Sequence, residues 1–379
     1  MPKKLLIVTT IATTLKAFLL PYARHFREKG WQVDALARDA SCLEDLAEAR
    51  QGFGRFYDVP FSRRPWELRG VRATEKSIRE LILHKGYDIV HTHTPVASFV
   101  TRHALSALPR SLRPAVVYTA HGFHFFKGGH PLKNFLYRSL ERRAGRWTDH
   151  LIVINQEDYQ AALRHKLIPP ESLSLLPGVG LDLLSYSADN FNTEDVRKIR
   201  CELGLKPGEF LFLMVAEFNS GKRHKDALSA LALTRRKDFH LALAGDGPLK
   251  ESVRQQAETL NIVSQVQFLG HRSDVPLLML ASCATVLPSE REGLNRSVME
   301  SLSLGVPVLG ADSRGIRELL TSPERGRLFP TGDAKSLSDA MIAAAEAPSP
   351  VRPKPDPQWD IRHLLAEHER IYQSLRKRA

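Results

Sequence analysis

Residues 284–310 read ATVLPSEREGLNRSVMESLSLGVPVLG, and the architecture turns on this stretch. Ala284 to Leu287 is a short apolar run of strand character, and Pro288 to Gly293 is a turn rich in Pro, Ser, Glu and Gly. A helix follows with Leu294, Val298 and Leu302 on one face, closed by Gly305, and Val306 to Leu309 forms a second strand. Such a strand-loop-helix-strand unit puts its loop and first helical turn at the carboxyl end of a parallel sheet, where free amides and the helix dipole attract anions. Two carboxylates stand against that preference, Glu292 in the loop and Glu300 in the helix. Facing a phosphate they would repel it, so they suit hydroxyls better. If the segment between them is wholly helical it spans about 12 Å, enough to hold hydroxyl-bearing groups on either side of a diphosphate. A nucleotide sugar has that shape. A bare pair at this spacing is more often two solvated glutamates, but the flanking glycines, strands and Pro307 weigh against that.

Glu292-Gly293-Leu294, then Glu300, then Gly305-Val306-Pro307-Val308 resembles the Glu-x7-Glu signature of the family 4 glycosyltransferases, retaining enzymes of the GT-B fold. The resemblance implies an α/β chain of two Rossmann-like domains facing across a cleft. Length agrees, since 379 residues exceed what one core usually fills. Apolar and charged fractions of 43% and 25% are those of a globular chain. Apolar runs such as Leu5 to Val8 are too short for a signal sequence or a membrane span, so a cytoplasmic location is expected. Cys42, Cys201 and Cys283 lie far apart, without metal-ligand spacing, and read as buried structural thiols.

The formal charge of +12 is unevenly placed. Residues 1–180 carry 27 Lys/Arg against 16 Asp/Glu, and residues 181–379 carry 27 against 26. A basic first half calls for an anionic partner, an anionic membrane leaflet or a nucleic acid, unless it is only a basic surface. Phe123 to Trp147 interleaves Phe123, Phe125, Phe126, Phe135, Tyr137 and Trp147 with Lys127, Lys133, Arg138, Arg142, Arg143 and Arg146. Rings and cations together suit a lipid headgroup layer. The same mixture could stack on bases or pack an aromatic helix face. Peripheral contact with an anionic membrane, on its inner face, is the expectation, and no nucleic acid is.

The first half opens as a βαβ unit. Leu5 to Val8 is a strand, Lys16 to Lys29 a helix ending at Gly30, and Trp31 to Leu36 a second strand. The intervening loop has no glycine, though Thr13 and Thr14 can offer hydroxyls and amides to a donor ligand. Tyr87 to His93 and Val116 to Gly122 are further strands, and the latter ends in a histidine placed for ligand contact or satisfied within the core. Thr119-Ala120-His121-Gly122 resembles the family motif whose histidine lies beside the donor sugar and the reacting centre. His91 and His93 line the acceptor side or are structural. The Phe123-His124-Phe125 loop resembles relatives that build surface polysaccharides on lipid carriers. Leu151 to Ile154 is a strand, and Leu175 to Asp182 reads as a last strand leaving the domain, its Gly178-Val179-Gly180-Leu181-Asp182 resembling the interdomain crossing. The expected domains are 1–184 for the acceptor, 185–358 for the nucleotide sugar, and 359–379 as a terminal helix crossing back.

In the second half Phe210 to Val215 is a buried strand, followed by Glu217 to Lys225 before a helix. Relatives commonly place an arginine and a lysine here to clamp the diphosphate; Lys222 matches the lysine, Glu217 stands at the arginine, and Arg223 could compensate. A solvated basic turn is the plain alternative. Gly245-Asp246-Gly247-Pro248 after a strand resembles the family loop before a helix, with glycines where a ligand approaches. Val266 to Val275, with Arg272, resembles the segment flanking the nucleobase. Pro348 to Pro357 is a proline-rich connector, and Ile361, Leu364, Leu365, His368, Ile371, Tyr372 and Leu375 form the stripe of a terminal helix.

The resemblance implies that Glu300 holds the ribose, that Glu292 and the amides of Gly293, Leu294 and Asn295 contact the donor sugar, that Lys222 stabilises the leaving diphosphate and that His121 supports the sugar. It implies a retaining hexosyl- or N-acetylhexosaminyltransferase using a nucleotide sugar, UDP-linked, on a glycan or lipid-linked acceptor in polysaccharide or glycoconjugate synthesis. No Asp-x-Asp occurs, and neither a metal nor another cofactor is expected. The rival readings are a sugar-nucleotide epimerase of the same fold, which needs no acceptor, and a non-catalytic membrane-associated adaptor, against which the intact Glu292/Glu300 pair argues.

Overall fold

The structure, a computed structural model, describes residues 2–61, 68–126, 128–347 and 351–376. Lys127, residues 348–350 of the expected connector and residues 377–379 of the expected terminal segment lie outside the described residues. The chain divides into two compact units, Met1–Val179 with Arg362–Ala379, and Gly180–Ile361.

The first unit is built on seven parallel strands: β1 (Lys4–Ile11), β2 (Gln32–Arg38), β3 (Phe56–Asp58), β4 (Ile89–His93), β5 (Ala115–Ala120), β6 (His150–Val153) and β7 (Leu173–Leu175), ordered β3-β2-β1-β4-β5-β6-β7. The second has six: β8 (Phe210–Val215), β9 (Phe239–Ala244), β10 (Val266–Gly270), β11 (Ala284–Leu287), β12 (Val308–Ala311) and β13 (Gly326–Phe329), ordered β10-β9-β8-β11-β12-β13 and again parallel. Both orders run outward from the first strand and then reverse, the doubly wound pattern, with a switch point beside β1/β4 in one unit and β8/β11 in the other. Strand composition explains the layers. Along β8, Phe212 and Met214 pack into one buried cluster with Leu228 and Leu231, while Leu211 and Leu213 pack into another with Leu278 and Met279. Alternate residues thus feed two cores, as a sheet covered on both faces requires.

Several expectations need correction. The first helix starts at Ala12 and passes through a π turn, Leu15–Leu19, before Leu20–Glu28. Pro21 explains the irregularity, because it lacks an N–H and its ring crowds the carbonyl four residues earlier. The last strand of the first unit is only Leu173–Leu175; beyond it Leu181 bridges Asp360, with Leu181 N donating to Trp359 O and Ile361 N to Leu181 O. That clasp assigns residues 180–184 to the second unit, so the division falls at Val179/Gly180 rather than after Leu184. The strand after Gly305 begins at Val308, two residues late. Cys42 and Cys201 are exposed, on a short turn and on the outer face of helix Thr193–Glu202. Only Cys283 approaches burial, which pushes its thiol up to about 12.

The aromatic and basic segment divides in two. Phe123 and Phe125 are core residues, stacked on each other. Helix Pro131–Gly145, by contrast, buries only Ala144 fully and exposes Leu132, Phe135, Leu136, Tyr137 and Leu140. Part of its anchorage is polar: buried Arg102 donates to Glu141 Oε2 at 3.1 Å and to Thr148 Oγ1 at 3.3 Å and lies over the Tyr118 ring. Removing one member of such a pair strands the other. Arg102→Ala should cost about 3 kcal/mol or more of stability by chemical denaturation; a change below about 1 kcal/mol would show that apolar packing alone holds the helix.

Candidate active site

In the second unit the switch point brings together the loops after β8 and β11. Asn219 folds the first into a short turn, its side chain accepting from Lys222 N at 3.1 Å, and Arg223 follows in a left-handed conformation (φ 56°). The loops are stitched by Glu290 N donating to Gly221 O at 3.0 Å. Across that seam the Lys222 ammonium donates to Glu292 Oε1 at 2.6 Å. Arg223 is bound to Asp226 and reaches Glu290 at 3.7 Å. Glu217 holds Asn219 Nδ2 at 3.0 Å. A lysine and the loop carboxylate are therefore side by side, without the arginine that a two-cation clamp would have.

The backbone of Glu292 and Gly293 is itself held. Arg314 Nε donates to Glu292 O at 3.2 Å, and Gly315 lies so close that a Cβ there would overlap the Gly293 carbonyl. The helix begins only at Arg296, capped by Asn295, whose Oδ1 accepts from Val298 N at 3.1 Å. The helical span estimated between Glu292 and Glu300 therefore does not apply; the first half of that separation is loop. Asn295 acts as the cap, and Leu294 packs partly buried against the adjoining core.

Glu300 is 7% exposed on that helix. Its Oε1 takes two hydrogen bonds, from Tyr186 OH and from Arg296 Nε, each at 2.8 Å. Burial first, and the Glu300 carboxylate second, push the Tyr186 hydroxyl up to about 12, so it stays a donor. Tyr186 lies just past the expected interdomain crossing, and no local motif marks it.

A cavity of about 540 Å³ opens at the carboxyl ends of β8 and β9, lined by Ala216, Glu217, Gly245, Asp246, Gly247 and His271 among others. Gly245 (φ 140°) and Gly247 (φ 154°) both press on the β8 loop: a Cβ would overlap Ala216 O in one case and lie 2.7 Å from Phe218 N in the other. Pro248 lies between that loop and helix Lys250–Thr259. Arg272 is committed elsewhere, donating to Asp274 at 2.6 and 2.7 Å and to Glu202 at 2.7 Å, so its neighbour His271 is the side chain at the cavity.

In the first unit the loops after β1 and β4 meet. Thr10 N donates to Thr94 Oγ1 at 3.0 Å and the two hydroxyls are 2.7 Å apart. Thr94 has φ 63°, a strained state for a β-branched residue that persists only where its surroundings impose it, commonly at functional sites. Thr13 is exposed and Thr14 half-buried on the first helical turn. His121, half-buried just beyond β5, lies with Nε2 at 3.0 Å from His93 Nδ1. His91 follows on the same face, as period 2 requires, bonded to Tyr372 OH at 2.6 Å and Thr119 Oγ1 at 2.8 Å, and His368 stands 5.6 Å from it ring to ring. Desolvation is the main cause that lowers His121 and His368 to about 4 and His91 and His93 well below their ordinary value. All four are neutral at working pH. Among the described residues no group of three or more His, Cys, Asp or Glu side chains is arranged to hold a metal ion, and no helix is long and apolar enough to cross a membrane.

Residues 18–179 match the family described as Glycosyltransferase Family 4, and residues 195–355 the family described as Glycosyl transferases group 1. The chain is 32% identical over 343 residues, 89% of itself and 86% of the relative, to EpsD of Bacillus subtilis (strain 168), named as a glycosyltransferase without a stated substrate. It is 29% identical over 278 residues, 71% of itself and 69% of the relative, to an Escherichia coli UDP-Gal:alpha-D-GlcNAc-diphosphoundecaprenol alpha-1,3-galactosyltransferase. Its fold matches the crystal structure of a glycosyltransferase from Rickettsia africae ESF-5 with a TM-score of 0.79 at 15% identity, over 100% of both chains.

The neutral histidines make stability pH-dependent in one direction. Unfolded histidines titrate near 6.5, so below that value the unfolded chain binds more protons than the folded one and stability falls with pH. The thermal midpoint should drop between about pH 7.5 and about pH 5, and His368→Phe should remove part of the drop. A midpoint that is flat over that range would show that these rings accept protons in place.

Proposed function

The chain belongs to the family 4 and group 1 glycosyltransferases, and from that premise we propose that it moves a hexose or N-acetylhexosamine from a UDP-sugar to a lipid-linked glycan acceptor with retention at the anomeric carbon. The carrying observation is the Lys222–Glu292 pair at the β8/β11 switch point, with a buried Glu300 on the helix that follows the Glu292 loop. Glu300 Oε1 is taken by Tyr186 and Arg296, which leaves Oε2 to accept from ribose hydroxyls. A diphosphate competes with Glu292 for the Lys222 ammonium, and the carboxylate so released accepts sugar hydroxyls. The base sits toward the Gly245–Gly247 cavity.

In the transfer step the bond from the anomeric carbon to the leaving phosphate oxygen breaks, and the acceptor oxygen bonds on the same face. The acceptor proton passes to the leaving phosphate, and UDP departs. Charge builds on the diphosphate as that bond breaks, so Lys222 lowers the barrier more than it tightens ground-state binding. The cationic charge there comes from the protein's own side chains, and the reaction proceeds without a divalent ion. In the first unit His121 takes a substrate hydroxyl.

A lipid-linked acceptor is favoured by helix Pro131–Gly145, where Leu132, Phe135 and Leu136 are 71%, 59% and 55% exposed beside Lys133, Arg142 and Arg143. Its one acidic side chain, Glu141, faces Arg102. Apolar tips within a cationic frame fit an anionic leaflet. The galactosyltransferase relative, by its name, acts on a diphosphoundecaprenol-linked sugar.

Thermal-shift titration with uridine, guanosine, adenosine and thymidine diphosphates should show selective stabilisation by UDP, nearly abolished in Glu300→Ala and Lys222→Ala and reduced by about 1 kcal/mol in Tyr186→Phe. Stabilisation by none of the four would sink the donor-site assignment. The UDP response and sugar transfer should both persist in EDTA. Sedimentation with phosphatidylglycerol vesicles should weaken about tenfold or more when Leu132, Phe135 and Leu136 are replaced by serine; equal sedimentation of the variant would remove the helix from the membrane reading.

A further inference from the structure

His93 closes β4, 3% exposed, between two other imidazoles. The His91 ring lies 4.1 Å away on one side and the His121 ring 5.3 Å away, stacked within 23°, on the other. Its Nδ1 is 3.0 Å from His121 Nε2, while its Nε2 is buried and has no hydrogen-bond partner among the described residues. Between two neutral imidazoles in nitrogen-to-nitrogen contact, one nitrogen must carry the hydrogen and the other the lone pair. If His121 Nε2 carried it, His93 would be forced to hold its own hydrogen on the buried Nε2, an orphaned donor. If His93 Nδ1 carries it, the unpaired Nε2 is only an acceptor, and buried orphan donors are the rarer and costlier of the two. A doubly protonated His93 would also leave an orphaned N–H, with a charge added.

The stack behind His93 is fixed. His91 is bonded at both ring nitrogens, to Tyr372 and Thr119, and His368 Nδ1 donates to Leu364 O at 2.7 Å. His93 is thereby held between a fixed ring and His121, with period 2 along β4 and β5 putting all of them on one face of the sheet.

We propose that His93 is the positioning residue that sets the tautomer of His121, donating from Nδ1 to His121 Nε2, so that His121 meets a substrate hydroxyl as an Nδ1–H donor. The inference rests on the reading of His121 as a substrate contact. It adds a hydrogen-bond partner that holds a site imidazole in one orientation and one tautomer.

Protein labelled with 15N-histidine, with the His121 signals identified from a His121→Gln variant, reports the tautomer directly through long-range nitrogen–proton correlations. The wild type should show His121 protonated at Nδ1. His93→Asn, whose amide keeps a donor near the same place, should preserve that form, and His93→Phe should release it toward Nε2–H. Turnover, read as UDP release from UDP-glucose, UDP-galactose or UDP-N-acetylglucosamine, should fall about tenfold in kcat in His93→Phe with KM little changed, and recover to within about threefold in His93→Asn. His121 found as the Nε2–H tautomer in the wild type, or unchanged in His93→Phe, would overturn the proposal. Full turnover by His121→Ala would overturn the reading of His121 as a substrate contact, an outcome the spectra do not depend on.

Discussion

The second unit depends on one constraint of parallel sheets: neighbouring central strands whose connections leave in opposite directions open a crevice at their carboxyl ends. Here those strands are β8 and β11. Lys222 arrives on one loop and Glu292 on the other, and they meet at 2.6 Å because Glu290 N and Gly221 O join the loops. Helix Arg314–Leu319 then braces the Glu292–Gly293 backbone from behind through Arg314 and the bare face of Gly315. The arrangement is costly in isolation, since it gathers charge and close backbone contacts with little apolar gain. It is held by the two apolar clusters on either face of the sheet.

The first unit handles polarity differently. The carboxyl ends of its central strands carry a stack of uncharged imidazoles with two hydroxyl-bearing partners, Tyr372 and Thr119, and a strained Thr94 beside Thr10. Burial keeps those rings neutral, which suits hydrogen bonding to hydroxyls rather than attraction of phosphate. On the proposed function, the cationic Lys222 of one unit serves the diphosphate and the neutral donors of the other serve substrate hydroxyls. The apolar and basic helix Pro131–Gly145 follows the His121 loop in sequence, so the surface proposed to meet a lipid and the proposed histidine contact belong to one stretch of chain.

Much of this was legible in residue order. Apolar runs of four to six residues bounded by turn formers locate the central strands, and Gly245, Gly247 and Gly305 mark turns whose φ is positive. The signature residues also placed Lys222, Glu292 and Glu300 in one unit. What escaped has a physical cause. Tyr186 reaches Glu300 across 114 positions of sequence, and Arg314 reaches Glu292 from a different helix; no local period encodes such contacts. Arg272 resembled a ligand residue, but Glu202 and Asp274 capture its guanidinium, a competition that only the folded chain reveals. Lys16 to Lys29 reads as one helix despite Pro21 within it; the π turn there, and the earlier helix start at Ala12, depend on how the chain leaves β1.

The most direct measurement of the central claim is the configuration of the product. Purified protein would be given a UDP-α-sugar and a polyprenyl-diphosphate-linked N-acetylglucosamine in anionic vesicles, and the anomeric proton of the new linkage read by NMR. The account predicts an α linkage, formed with one UDP released per sugar transferred. A β linkage would contradict same-face transfer with the leaving phosphate as base, and isomerised nucleotide sugar without transfer would contradict the assignment of the reaction itself.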